Sequence, residues 1–172
     1  SLKIDTNIHK QSQQIAQGLD NGGAGDQGIM YGYATSETPE FLPLAVSLVH
    51  KLTSGLENLR RNHPAFFWLE PDGKAQITVQ DGKIKTVLIS CQHQDSISQP
   101  EIKSLLVKNL IGPVVGDLDD VEILVNPTGK FVVGGFTADT GLTGRKIIVD
   151  TYGGLVPHGG GAFSGKDPTK VD

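Results

Sequence analysis

The chain reads as an α+β protein, and three features carry that reading. Asp81-Gly82 sits between two strand-like runs, Ala75–Gln80 and Lys83–His93. Both central residues of a two-residue hairpin need positive φ, which Asp-Gly supplies, so these strands are antiparallel. Ala45, Leu48, Val49, Leu52, Leu56 and Leu59 recur at the 3.6-residue period of a helix beginning near Leu42. Further strands and helices alternate after the hairpin, and an antiparallel pair among them argues against a purely parallel doubly wound sheet.

The elements follow in order. Residues 1–23 are polar and rich in glutamine, ending in Asn21-Gly22-Gly23, and are expected to be a mobile loop or fraying arm. The first long helix closes on Arg60-Arg61, cations suited to a helix C-terminus. Trp68–Lys74 contains Pro71-Asp72-Gly73 and reads as a turn. Phe66, Phe67 and Trp68 read as core rather than as a stacking platform. Pro100 opens a second helix with Ile102, Leu105, Leu106 and Leu110 on one face. Val121–Val125, Phe131–Val133 and Lys146–Thr151 read as short strands. Asn126-Pro127-Thr128-Gly129 is a turn, and loop chemistry dominates from Gly153.

Charge and glycine are distributed unevenly. Residues 1–129 carry 10 Lys+Arg against 15 Asp+Glu, whereas residues 130–172 carry 5 against 4. The last 43 residues hold 10 of the 22 glycines. Glycine weakens helices and strands, so this density marks backbone that approaches something closely or takes positive φ. A glycine-rich, locally cationic tail suits an anion. The overall net charge of −4 argues against a general nucleic-acid binder. No apolar run reaches the length of about 18 residues needed to cross a bilayer, and no leader is expected. The chain opens on Ser1 rather than Met, so it is expected to be processed or part of something longer. The single cysteine, Cys91, fits a reducing, cytoplasmic setting. It falls in a strand and reads as a small hydrophobe. His9, His50, His63, His93 and His158 lack zinc-ligand spacing, and each reads as a surface or satisfied core residue.

Four segments could carry chemistry. Gly160–Lys166 spells G-x-x-x-x-G-K, but Asp167 stands where a phosphate loop has Ser or Thr. Bare backbone N–H groups with Lys166 would still suit phosphate; a flexible loop with a solvated lysine fits the pattern equally. His158-Gly159-Gly160-Gly161 resembles an esterase oxyanion loop, yet no G-x-S-x-G elbow exists. Arg145-Lys146 follows the turn Gly141–Gly144, where ordinary surface cations are the commoner case. In Gly23–Gly28, Asp26 lies between glycines whose spacing does not match a dinucleotide fingerprint.

Taken together, the segments are more specific. GAGDQG at 23–28, NPTGKFVVGG at 126–135, DTGLTGRKIIVDTYGG at 139–154 and HGGGAFSGKDPTKVD at 158–172 occur in this order. The chain resembles the methionine adenosyltransferase (S-adenosylmethionine synthetase) family. The resemblance implies a fold of repeated mixed-sheet modules with helices on one face, one full module and part of a second lying here. It implies a mobile gate loop or arm at 1–22, the middle α+β module at 23–133, and the start of a third module with its glycine-rich phosphate loop at 134–172. It implies synthesis of S-adenosylmethionine from ATP and L-methionine: sulfur attacks C5′ and expels triphosphate, which is cut to pyrophosphate and phosphate. Magnesium and potassium are the implied ions. The implied assembly is a homodimer or dimer of dimers sharing its active sites, with no nucleic acid and no membrane.

Carried over residue by residue, Asp26 faces the methionine and the developing sulfonium, and Gln11 and Lys170 are methionine-side contacts. Asp72 and Lys74 reach ATP, with Lys74 on the phosphates. Lys130 and Phe131 lie on the adenine side, and Asp139 touches both substrates. Arg145 and Lys146 grip the polyphosphate. Ala162 and Lys166 are ATP contacts donated by a partner subunit, and Asp172 is a magnesium ligand. Lys74, Arg145, Lys166 and Asp26 are the expected catalytic set. Lys130 stands where the family usually has Arg, Phe136 where it has Pro, and Gly73 where Ala is commoner. The family's chain is longer, with an opening His-Pro-Asp motif that is not found here, so this polypeptide alone is expected to be inactive. The alternative reading is a noncatalytic nucleotide- or phosphate-binding, or dimerising, fragment.

Overall fold

The computed structural model describes residues 3–24, 28–142, 144–162 and 167–170. They fall into two compact units, one spanning Ala34–Gly141, the other joining residues up to Tyr33 with those from Leu142 onward.

The Ala34–Gly141 unit is α+β, as expected. Its elements are α2 (Leu44–Asn62), β1 (Leu69–Gln80), β2 (Lys83–His93), α3 (Gln99–Leu106), a π-helical turn (Val107–Ile111), α4 (Gly112–Val115) and β3 (Glu122–Val125). The sheet order is β1-β2-β3; β1 pairs antiparallel with β2, and β3 lies parallel to β2. At the hairpin, Asp81 and Gly82 have φ of 51° and 72°, the positive values the dipeptide was read to need.

The helices cover one sheet face. Leu52, Leu56 and Leu59 of α2 and Ile102, Leu106, Leu110 and Ile111 of the α3 region pack with Val87, Ile89 and Cys91 of β2. The helical period and the strand period of two therefore meet in one core. Leu44 N–H, at the start of α2, donates to Glu37 Oε2 at 3.0 Å, which places an anion at the positive end of the helix. Gly55 is where α2 meets Leu110: a Cβ there would lie 2.3 Å from Leu110 Cδ1. The π-helical turn has its cause in Pro113. Proline lacks an N–H and its ring crowds the carbonyl four residues back, so the helix widens just before it, and Gly112 N–H bonds Val107 O instead.

Four readings are corrected. The expected turn at 68–74 is the start of β1. Leu69 pairs with His93 and Gly73 with Cys91, so Glu70–Asp72 oppose a single residue of β2 and form a bulge. A bulge accepts proline, which cannot donate to a ladder, so the turn signature was real but interrupts a strand. Phe131–Val133 is not a strand; one backbone bond, His93 N–H to Phe131 O at 2.9 Å, joins it to the end of β2. Lys146–Thr151 is not a strand either. Asp150 N–H bonds Lys146 O at 2.8 Å and Gly153 N–H bonds Ile148 O at 2.9 Å, so the run closes on itself in turns. Among the described residues no strand lies beside it, and local bonds satisfy the groups a ladder would have used. Phe67 is 72% exposed, while Phe66 and Trp68 are buried as expected.

The other unit carries a helical turn, α1 (Gln13–Ala16), where a loop was expected. No helix among the described residues is long and apolar enough to cross a membrane.

Candidate active site

The bulge in β1 lifts Asp72 out of the ladder. Its Oδ2 accepts Gly135 N–H at 2.8 Å, across 63 residues of sequence. Gly134 makes that approach possible, because a Cβ there would lie 2.7 Å from Gln92 Cδ and 3.1 Å from Asp72 Cβ. Gln92 Nε2 donates to Val132 O at 3.0 Å. Asp72 and Lys74, expected to reach ATP, are thus joined at one end of the sheet to the run that continues from the expected adenine-side pair Lys130 and Phe131 to Gly135. Lys74 lies two residues beyond Asp72, exposed and paired with Ser90. Its neighbours Gly73 and Ala75 pair with buried Cys91 and Ile89, so Lys74 stands on the sheet face away from the helices.

The turn before Phe131 depends on Asn126. This residue is buried with φ of 44°, a left-handed conformation that asparagine tolerates. Its Oδ1 accepts Cys91 N–H at 2.8 Å and its Nδ2 donates to Cys91 O at 3.2 Å. The carboxamide takes the place of the next strand residue and extends the β2–β3 pairing by one step. Lys130, half of the expected adenine-side pair, forms an exposed ion pair with Asp95, whose carboxyl it holds below the usual range. Asp139 follows the turn at Gly135–Thr137: its N–H bonds Gly135 O at 3.0 Å, and its Oδ1 accepts Thr140 N–H at 2.7 Å.

Asp72, Lys74, Lys130, Phe131 and Asp139 therefore all belong to the Ala34–Gly141 unit. The remaining described candidates belong to the other. Gln11 is half-buried, and its Nε2 has no hydrogen-bond partner among the described residues. Arg145 and Lys146 are exposed in the turns after Gly144, and neither forms an ion pair with a described residue. Ala162 and Lys170 are half-buried, and Lys170 N–H bonds Asp167 O at 3.1 Å. Asp26, Lys166 and Asp172 lie outside the described residues.

This unit also brings motifs together. A Cβ on Gly159 would lie 1.9 Å from Ile29 O, so only glycine fits, and the HGGG segment runs against the chain just after GAGDQG. Tyr33 and Tyr152 meet edge to face at 5.3 Å. His158 Nδ1 accepts Gly160 N–H at 2.8 Å, holding the loop at a glycine with φ of 98°.

A cleft of about 50 Å³ opens under the β1 bulge, lined by Thr53, Glu57, Arg60, Glu70, Asp72 and Cys91 among others. It is far below the several hundred Å³ of a nucleotide site. Arg60 is already engaged by Glu57 through two bonds of 2.8 Å, and Arg60 and Arg61 together hold the Glu57 carboxyl down at about 2. Burial pushes the Cys91 thiol up to about 12, so it is no nucleophile.

Sequence reading passed over Asn126, Gln92 and His93 as functional residues. Asn before Pro gave only a turn signal, and a lone His or Gln on a strand gives none.

The chain matches two family models, the S-adenosylmethionine synthetase central domain over residues 21–131 and its C-terminal domain over residues 133–172. It is 54% identical to an S-adenosylmethionine synthase of Pseudothermotoga lettingae over 98% of this chain and 49% of that protein. It is 50% identical to an S-adenosylmethionine synthase of Petrotoga mobilis over 98% of this chain and 48% of that protein. The chain spans about half the length of the curated relatives it matches. With one family model covering more than half of its length and a second following it to Asp172, the chain belongs to the S-adenosylmethionine synthetase family.

Proposed function

We propose that the protein bearing this chain makes S-adenosylmethionine from ATP and L-methionine. The observation that carries this is the 54% identity, over nearly the whole chain, to a relative named for that product. The Asp72–Gly135 bond supports it, since it joins a residue expected to reach ATP to the run that continues from the expected adenine-side pair.

In this reading the methionine sulfur attacks C5′ and the triphosphate leaves, to be cut to pyrophosphate and phosphate. A thioether has no proton to lose, so the attack needs no general base. The demand is to align two substrates and to stabilise a leaving group that gathers negative charge. Lys74, Arg145, Lys146 and Lys166 supply that charge. Phe131 and Lys130 hold the adenine side, Asp72 and Asp139 orient ATP, Ala162 contributes a further ATP contact, and Asp26, Gln11 and Lys170 face methionine. Among the described residues, the exposed Arg145 and Lys146 have no ion pair to give up for a polyphosphate.

Among the described residues no three His, Cys, Asp or Glu side chains converge to hold a metal. Magnesium fits nonetheless, because it is commonly held by one or two carboxylates together with substrate phosphates. Asp172 would supply the carboxylate, and the ion would share the triphosphate's charge. Potassium would act as an activating ion. We further propose a cytoplasmic homo-oligomer in which a partner copy completes the site through its own Ala162 and Lys166 segment. The domain division at about residues 22 and 133 belongs to the same reading.

The test is to incubate the whole protein with ATP, methionine and magnesium and to separate the products. S-adenosylmethionine with pyrophosphate and phosphate is expected, and residues 1–172 alone are expected to make none. ATP binding indifferent to methionine, with no product from the whole protein, would favour the noncatalytic module instead.

A further inference from the structure

His93 ends β2 and is 1% exposed, yet both ring nitrogens are engaged. Nδ1 lies 2.8 Å from Gln94 O. Nε2 lies 3.1 Å from Phe131 N and 3.0 Å from Gln99 Nε2. A backbone N–H can only donate, so Nε2 must present its lone pair to Phe131. A carbonyl can only accept, so Nδ1 carries the proton for Gln94 O. The two bonds select the same tautomer independently. Gln99 must then turn its NH₂ toward Nε2, which accounts for its Oε1 being buried with no partner. The backbone completes the clamp, with His93 N–H donating to Phe131 O at 2.9 Å. Phe131 is therefore held at both its N–H and its C=O by one residue 38 positions earlier.

We infer that His93 is a positioning residue for the adenine-side segment: its Nε2 lone pair fixes the Phe131 backbone and thereby the angle at which the Phe131 ring meets the base. This rests on the proposed reaction for its consequence, but not for its geometry. Gln92, Asp95 and Asp72 bond residues on either side of Phe131, and only His93 bonds Phe131 itself among these anchors.

The test compares three variants of the whole protein. Glutamine can place its amide oxygen where Nε2 stood, whereas asparagine reaches only the Nδ1 position. His93→Asn is expected to lower the hydrogen-exchange protection of the Phe131 amide about 10-fold or more. The Ile102 and Leu106 amides in α3 serve as controls for global folding. His93→Gln should restore most of the protection. Gln99→Leu removes the competing donor and should retain or raise it. In turnover, His93→Asn should raise KM for ATP about 10-fold, leave KM for methionine within about twofold, and be rescued by His93→Gln. Unchanged Phe131 exchange in His93→Asn, or a His93→Gln as unprotected as the asparagine variant, overturns the inference. If His93→Asn does not fold, loss of Phe131 protection in folded Gln99→Leu or His93→Gln overturns it equally. If the unsubstituted protein makes no S-adenosylmethionine, the proposed reaction falls, while the exchange data still decide the role of His93.

Discussion

The Ala34–Gly141 unit and the segment from Leu142 onward divide the work. Among the described residues, the first holds every buried hydrophobic one, from Val46 to Ile111. In the second, no described residue is buried. Yet the second supplies Arg145 and Lys146, the expected polyphosphate grips, on backbone that takes positive φ at Gly144, Gly153, Gly154 and Gly160. Stability follows from side chains removed from water, whereas binding a triphosphate needs exposed cations and bare N–H groups. One stretch of sequence does not serve both demands well, and here they fall to different stretches.

Substitutions can break that division. Leu52→Ala, at a position fully closed to solvent, should cost about 2–5 kcal/mol, read as a lower melting temperature. Arg145→Ala in the whole protein should cut S-adenosylmethionine formation by about 10²–10³-fold while leaving the melting temperature nearly unchanged. A large stability loss from Arg145→Ala would erase the contrast. Asn126→Ala sits on the boundary between the two roles. It strands the Cys91 N–H and C=O and puts alanine at positive φ, for a loss of about 2–3 kcal/mol. Asn126→Gly relieves only the backbone strain, so denaturant melts of the two should differ by about 1 kcal/mol.

The smallest effect concerns acid. Glu57 is held down to about 2 by Arg60 and Arg61 against an ordinary 4.5. In that window the unfolded chain binds the proton that the folded chain refuses. The contribution is thus complete above about 4.5 and fades as pH falls toward 2. The pair is only half-buried and solvent screens it, so Glu57→Gln should flatten the acid limb of the melting curve only slightly.

The hairpin at Asp81-Gly82, helix α2 and the helix opened by Pro100 were legible because each signal lies within a few residues. The β1 bulge was misread because Pro71-Asp72-Gly73 carries the same local chemistry in a turn and in a bulge. Lys146–Thr151 was misread because an apolar β-branched run becomes a strand only beside another strand. Asp72 and Phe131 were legible as candidates through motif resemblance, but their anchors were not.

The chain by itself determined the periods, the hairpin, the buried thiol and the cationic, glycine-rich end, since these are properties of neighbours in sequence. Only the tertiary structure decided that Asp72 bonds Gly135, that Asn126 stands in for a strand residue beside Cys91, and that His93 clamps Phe131. Those bonds join residues 35 to 63 positions apart. Each forms only where the packed core has already set the end of β2, and no local pattern encodes which distant N–H will arrive there.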